Sequence, residues 1–176
     1  AQRLGGDPSR IFVAGESAGA NLSAALTLAT TYRRHEPFAR AVFEAGVVPR
    51  GVVPACGLFQ VSNPERFNLK PNTYFWDRIS EVTDAYLHGA RLHHEHDLDL
   101  ADPVVALERG ARPDRPLPPF FLPVGGWDLL RHDSTRLATA LTALGGRAEA
   151  RVYARGPHAF HAFVVTPAAL RCWKDT

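Results

Sequence analysis

The segment that most constrains the fold of this chain is the five-residue sequence from Gly15 to Gly19, which reads Gly-Glu-Ser-Ala-Gly. A short apolar run over 10–14 comes directly before it, and helical spacing of apolar residues begins at Asn21. A strand that turns tightly into a helix would hold the Ser17 hydroxyl above the edge of a sheet. We expect that a side chain at Gly15 or Gly19 would collide with the neighbouring strand or helix. The segment therefore predicts a nucleophilic serine, the alternative being a glycine-rich turn without chemistry.

Strand and helix signals alternate along the rest of the chain. Further strands are predicted within 50–61 and at 119–124 and 148–153, and helices at 21–34, 77–87, 130–144 and 168–173. We take Pro37 as the residue that stops the first helical run. Alternation of this kind is typical of an α/β protein whose mostly parallel sheet is covered by helices on both faces. No linker divides the chain, so we predict one domain over 1–176.

A serine needs a general base and a residue that orients the base, and two later strand ends supply them. The strand at 119–124 runs into Gly-Gly-Trp followed by Asp128, and the strand at 148–153 is followed by Gly-Pro and His158. The carboxyl ends of parallel strands lie at one edge of the sheet, where Ser17 is also expected. The sequence therefore predicts that His158 takes the Ser17 proton and that Asp128 orients His158.

Each of these two assignments has a competitor nearby. Asp133 lies farther into the helix after Asp128, where a capping or ion-pair role is expected. His161 follows His158 closely and has Phe160 and Phe163 around it, which is typical of a packed histidine. Glu16, next to the serine, is expected to be buried with a hydrogen-bond partner, and we assign it no catalytic step.

Composition excludes several other kinds of protein. The 176 residues are 45% hydrophobic and 22% charged, with a net charge of +2. This balance gives no basic field for nucleic acid, and no apolar run is long enough to span a membrane. No signal peptide is evident at the start, so a cytoplasmic protein is expected. The distant cysteines Cys56 and Cys172 do not suggest a disulfide framework, and Cys56 is expected to behave as a buried small hydrophobe.

The run Leu-His-His-Glu-His-Asp at 92–97 is rich in metal-ligand side chains. It lies in a polar stretch with no predicted strand or helix to fix the geometry of its ligands. We therefore interpret it as a solvated loop and predict no metal site.

Several separated blocks together resemble one known family. Asp-Pro-Ser-Arg-Ile at 7–11 and Gly-Glu-Ser-Ala-Gly-Ala-Asn-Leu at 15–22 are similar to the nucleophile region of the hormone-sensitive-lipase-like branch of the α/β-hydrolases. Asp-Pro at 102–103, Gly-Trp-Asp-Leu-Leu-Arg-His-Asp at 126–133 and Pro-His-Ala-Phe at 157–160 resemble later blocks of that branch, in the same order. The resemblance implies an α/β-hydrolase fold and hydrolysis of carboxylic esters without a cofactor or metal. It assigns the triad to Ser17, Asp128 and His158.

The turn geometry predicts one further site residue, and the resemblance implies others. The backbone N–H of Ala18, at the start of the helix after the serine, is the expected oxyanion donor. The connection over about 62–118 is expected to contribute to the substrate pocket, with Phe75 and Trp76 facing the acyl group. Core packing is the alternative for these two aromatic residues.

The chain departs from the family pattern near its start. Position 20 is Ala20, where the family commonly has Gly. Nothing in 1–7 resembles the family's His-Gly-Gly-Gly oxyanion block, no Met stands at position 1, and the strands that usually precede the nucleophile are missing. We therefore expect the C-terminal part of a larger hydrolase domain, with an open sheet edge suited to self-association. We also expect the isolated chain to be weakly active or inactive. A non-catalytic ligand-binding protein on the same fold is an alternative, and so is another acyl chemistry at the same triad, such as amide hydrolysis or acyl transfer.

Overall fold

The computed structural model describes residues 5–70, 74–87 and 98–176, with the side chains of 74–76 outside that description. Its centre is a four-stranded sheet in the order β1-β2-β3-β4, with every neighbouring pair parallel. The strands are β1 (Phe12–Glu16), β2 (Gly51–Ala55), β3 (Phe120–Gly125) and β4 (Ala148–Tyr153). The predicted parallel α/β architecture is therefore confirmed.

Six α-helices lie between and after these strands in the described part of the chain. They are α1 (Ala18–Thr31), α2 (Pro37–Glu44), α3 (Tyr74–Leu87), α4 (Pro103–Glu108), α5 (Arg131–Ala143) and α6 (Pro167–Asp175). The prediction for Pro37 was wrong, because α1 ends at Thr31 and Pro37 instead begins α2. Proline suits the first turn of a helix, where its missing N–H would have no partner within the helix.

One face of the sheet carries the main hydrophobic core. Helix α1 packs on β1 and β2, α5 packs on β3 and β4, and α4 lies between these two helices. The buried side chains at the centre of this layer include Leu28, Val52, Phe59, Leu122 and Leu141. This layer fixes the positions at which the four strands end, and so it fixes where the loops that follow them meet.

The other face is covered less completely by the described residues. Helix α6 and the turn before it pack there through a smaller core of Cys56, Val124, Tyr153, Phe160 and Cys172. Near β1 the cover stops, and Phe12 keeps 69% of its surface exposed. The prediction of helices on both faces therefore holds in full for one face and in part for the other.

A proline inside β2 interrupts its pairing with β3. The N–H of Val52 donates to Pro119 and that of Cys56 donates to Pro123, each at 3.0 Å. Pro54 lies between these two donors and has no N–H to give, so the ladder skips one position. The strand survives in the middle of the sheet because its other side pairs with β1 in full register from Phe12↔Gly51 to Glu16↔Ala55.

The described residues also bear on two expectations about partners. None of the helices in 5–70, 74–87 and 98–176 has the length and apolarity needed to cross a bilayer. Among those same residues β1 pairs with β2 alone, so its second edge is open there. Self-association through that edge stays a prediction, as does the assignment of 1–176 to a single partial domain with a pocket-forming connection at 62–118.

Candidate active site

Ser17 stands at the junction of β1 and α1 with a backbone that few residues adopt. Its φ of 54° and ψ of −112° are unfavourable for a residue with a side chain. The turn is held by the Ser17 N–H, which donates to the carbonyl of Ala55 at 3.0 Å. A strained serine between a strand and a helix is the geometry that exposes Oγ to a substrate.

The two glycines of this turn differ in the space available for a side chain. A Cβ on Gly15 would lie 2.1 Å from the carbonyl oxygen of Gly19, which no real contact allows. A Cβ on Gly19 would meet nothing within 4 Å in the described part of the chain. The expected collision therefore exists at Gly15, and the prediction was wrong for Gly19.

This difference gives a matched pair of variants for stability. We expect Gly15→Ala to destabilise the fold by about 3 kcal/mol or more, because the backbone of α1 would have to move. Gly19→Ala should be neutral or stabilising by up to about 1 kcal/mol, because alanine favours a helix over glycine. Urea unfolding followed by circular dichroism measures both. Equal losses in the two variants would contradict the proposed packing of the turn.

The structure brings the three predicted side chains into one chain of contacts. His158 Nε2 lies 3.0 Å from Ser17 Oγ, and His158 Nδ1 lies 3.0 Å from Asp128 Oδ2. The carboxylate of Asp128 is buried, and its other oxygen accepts the N–H of Leu130 at 2.9 Å. These contacts fix the carboxylate so that Nδ1 carries the proton and Nε2 faces the serine.

The loops that carry Asp128 and His158 meet because a glycine removes a side chain between them. A Cβ on Gly125, at the end of β3, would lie 2.1 Å from the carbonyl oxygen of Gly156, after β4. The N–H of Trp127 donates to that same carbonyl at 2.9 Å. The close approach of the two strand ends thus sets the distance between the acid and the histidine.

The surroundings of His158 favour its protonated form. The hydrogen bond to Asp128 raises the pKa of His158 above that of a free histidine, and the charges of Asp128 and Glu16 add to this, although burial opposes it. A general base must be neutral, so activity that depends on this histidine should rise with pH through its raised pKa. The acidic limb of a pH–rate profile should accordingly lie above the pH expected for an unperturbed histidine.

One residue near the triad was not expected to be exposed. Glu16 follows the alternation of β1, which turns Phe12, Ala14 and Glu16 toward the incompletely covered face of the sheet. Its side chain keeps 40% of its surface exposed, so the expectation of a buried Glu16 was wrong. It does have a partner, since its Oε1 lies 3.3 Å from His158 Nε2.

Cys56 is the other residue that the fold brings to this cluster. It follows β2 with a φ of 50°, is fully buried, and its Sγ lies within 4.8 Å of ligand atoms of Asp128 and His158. Burial raises the pKa of the Cys56 thiol to about 12, and the nearby charge of Asp128 adds to this. Cys56, Asp128 and His158 are the ligand-type side chains of the described residues that are close enough to share a metal ion. A neutral, buried thiol nevertheless matches the small hydrophobe that the sequence predicted.

The predicted oxyanion and pocket residues lie at the starts of two helices, α1 and α3. Ala18 is the first residue of α1, so its N–H has no acceptor within that helix and lies beside Ser17. Phe75 and Trp76 fall in α3, but their side chains lie outside the described residues, as does the histidine-rich run at 92–97. The oxyanion and pocket roles therefore stay predictions.

Both competitors have structural partners. His161 packs edge-on against Phe160 and Trp173, with ring centroids 5.7 and 5.9 Å apart, and burial lowers its pKa. Asp133 is almost fully buried and forms an ion pair with Arg66 at 2.7 Å. These contacts agree with the packed histidine and the ion-pair residue that the sequence predicted.

Two buried carboxylates hold the segment that leaves β2. Asp133 accepts the N–H groups of Phe59 and Gln60 at 2.9 and 3.3 Å. Asp102 accepts those of Val61 and Ser62 at 2.6 and 3.0 Å, and the Ser62 hydroxyl as well. Sequence reasoning gave Asp102 no role of its own. Its position just before a helix-starting Pro103 is the only local signal that it carries.

The fold and this cluster together define the class of protein. A parallel sheet whose first described strand turns sharply into a helix holds the serine, and the next loops along the same sheet edge hold the carboxylate and the histidine. This order and placement define an α/β hydrolase.

Comparisons with known proteins give the family. The family model described as the alpha/beta hydrolase fold matches residues 1–162, and the chain belongs to that family. The curated protein Esterase LipU of Mycobacterium tuberculosis (strain ATCC 25618 / H37Rv) is 29% identical over 175 residues, which cover 96% of this chain and 53% of that protein. The chain thus spans about half the length of the curated relative that it matches.

Solved structures agree with this assignment. A crystal structure of an esterase from the bacterial hormone-sensitive lipase family has 25% identity and a TM-score of 0.72, covering 97% of this chain and 52% of that one. A mutant of another esterase has a TM-score of 0.73 at 25% identity, with the same coverage. The predicted hormone-sensitive-lipase-like branch of the α/β-hydrolases is therefore confirmed.

Proposed function

We propose that this chain carries the catalytic triad of a serine carboxylesterase, with Ser17 as the nucleophile. The observation that supports this most strongly is the continuous contact from Ser17 through His158 to Asp128, at 3.0 Å for each step. A nucleophile within reach of a base, and a base held by a third group, is the arrangement that activates a serine.

The proposed reaction follows from the positions of these atoms. Ser17 Oγ attacks the ester carbonyl carbon while His158 Nε2 accepts its proton. The imidazolium that forms is stabilised by Asp128 at Nδ1, and it returns the proton to the leaving alcohol. Water then attacks the acyl-enzyme by the same route and releases the acid.

Negative charge on the carbonyl oxygen is met at the start of α1. The N–H of Ala18 points out of the first turn of the helix, whose dipole favours an anion. A single donor of this kind is worth roughly two to three orders of magnitude in rate. We propose Ala18 as one oxyanion donor of the site, and a small carboxylic ester as the substrate.

Active-site labelling with a fluorophosphonate tests the proposal on this chain. The reagent phosphonylates an activated serine and so reports the nucleophile even where turnover is slow. We expect one adduct per chain, located on Ser17 by peptide mass spectrometry, and no adduct in Ser17→Ala. Ser9→Ala is a suitable control, because Ser9 is an exposed serine whose hydroxyl donates to Asp7. A folded chain that remains unlabelled would support a non-catalytic binding protein instead.

A further inference from the structure

The imidazole of His158 has a third polar neighbour besides the serine and the acid. Nε2 lies 3.0 Å from Ser17 Oγ and 3.3 Å from Glu16 Oε1, so two oxygens from consecutive residues surround one nitrogen. Asp128 contacts the opposite nitrogen of the same ring. Carboxylates from two different strand ends therefore face the two sides of His158.

These contacts have different energies in the two protonation states of the ring. In the neutral ring, with the proton on Nδ1, the lone pair of Nε2 faces the Ser17 hydroxyl, and the ring gains nothing from the Glu16 carboxylate. In the imidazolium, Nε2 carries a proton, and a carboxylate at 3.3 Å attracts it. The interaction is thus stronger in the charged state, which is the state that the proposed acyl transfer passes through.

We propose that Glu16 is a positioning residue that stabilises the imidazolium form of His158 beside the reacting serine. This inference rests on the proposed function. Glu16 is the last residue of β1 and Ser17 follows it directly, so the strand that positions the nucleophile also positions Glu16. As a consequence, His158 stays protonated, and so cannot act as a base, up to a higher pH.

The other groups that face His158 do not provide this effect. Asp128, after β3, is bound to Nδ1 and cannot reach the proton on Nε2. Cys56, after β2, is a neutral thiol at ordinary pH. His161 lies in the turn after His158. A proton on His161 would repel a positive charge on His158, and burial lowers the pKa of His161. Among these neighbours, Glu16 is the negative charge at Nε2.

Glu16→Gln tests the inference because it removes the charge and keeps the shape. Histidine titration by NMR on the intact chain, with the His158 signal assigned by its loss in His158→Gln, should give a lower pKa for His158 in the variant. The acidic limb of kcat/KM for a p-nitrophenyl short-chain ester should move to lower pH with it. At the plateau, kcat should fall about threefold to tenfold with KM little changed.

Two further variants make the result specific. Glu149→Gln removes an exposed carboxylate of β4 that pairs with Arg151, and it should leave the His158 titration unchanged. Glu16→Asp keeps the charge on a shorter side chain and should fall between the wild type and Glu16→Gln. Both Glu16 variants should unfold in urea like the wild type, since the side chain is partly exposed.

The titration and the kinetics test the role of Glu16, and the fluorophosphonate labelling tests the proposed function. An unchanged His158 titration in Glu16→Gln would overturn the role of Glu16, whatever the activity. A lowered pKa with an unchanged or higher plateau kcat would also overturn it, since the charge would then only hold the base protonated. A lowered pKa in a chain that no fluorophosphonate labels would leave the contact intact and refute the proposed function.

Discussion

Replacing Asp128 by asparagine should slow the reaction of Ser17 with an electrophile by up to about 10⁴-fold while leaving the chain folded. The asparagine side chain would keep an oxygen for the N–H of Leu130, which Asp128 now accepts at 2.9 Å. Its amide N–H would then face Nδ1 of His158, so the ring would have to carry its proton on Nε2. A protonated Nε2 cannot accept the proton of Ser17, and the negative charge that stabilises the imidazolium is lost as well.

The rate at which a fluorophosphonate labels Ser17, together with circular dichroism, measures this effect even if turnover of esters is slow. Asp84→Asn is a matched control, because Asp84 is an exposed aspartate of α3. We expect the control to keep full activity. If Asp128→Asn stays within tenfold of the wild type, His158 is not held through Nδ1 in the way that the contacts indicate.

Replacing the buried Asp133 of α5 by alanine should produce a large loss of stability. The carboxylate binds Arg66 at 2.7 Å and the N–H groups of Phe59 and Gln60, and only 2% of its side chain is exposed. Removing it leaves a largely buried guanidinium and two backbone N–H groups without their acceptor. We expect a loss of about 3–5 kcal/mol and a fall in Tm of about 10 °C.

A more exposed ion pair between α5 and α4 is the control for this prediction. Arg136 and Glu108 bind each other at 2.7 Å but are each about one-third exposed. Glu108→Ala should therefore cost less than about 1 kcal/mol, because water screens both charges. Urea unfolding of the two variants compares a buried carboxylate with an exposed one. Similar losses in both would mean that Asp133 does not hold the segment after β2.

The places of Ser17, Asp128 and His158 could be predicted from the sequence because each follows a parallel strand. Parallel strands end at one edge of their sheet, so residues just beyond them converge even when 141 positions separate them, as for Ser17 and His158. The strand signals were clear because the first and third strands are short apolar runs, whereas the fourth alternates along 148–153. That these three residues lie close together could therefore be predicted without knowing how the side chains pack.

The features that the sequence did not reveal depend on contacts between distant segments. Helices α2 and α4 are short, at 8 and 6 residues, and begin with Pro37 and Pro103. The sequence predicts that Pro37 ends the first helical run, and it predicts no helix at Pro103. Asp102 holds a segment some 40 residues away, and no local pattern marks such a bond. Glu16 was expected to be buried because it is next to the nucleophile, whereas strand alternation turns its side chain to the face with the thinner cover.

The central claim is that Ser17 becomes acylated by an ester and that His158 makes this possible. The most direct test is mass spectrometry after a short reaction. The chain is mixed with a p-nitrophenyl short-chain ester and quenched in acid within the first turnover, and the masses of the intact protein and of its peptides are measured. We predict one added acyl group on the peptide that contains Ser17, no adduct in Ser17→Ala, and a strongly reduced rate of adduct formation in His158→Gln. Release of p-nitrophenol without an adduct on Ser17, or an undiminished rate in His158→Gln, would contradict the account.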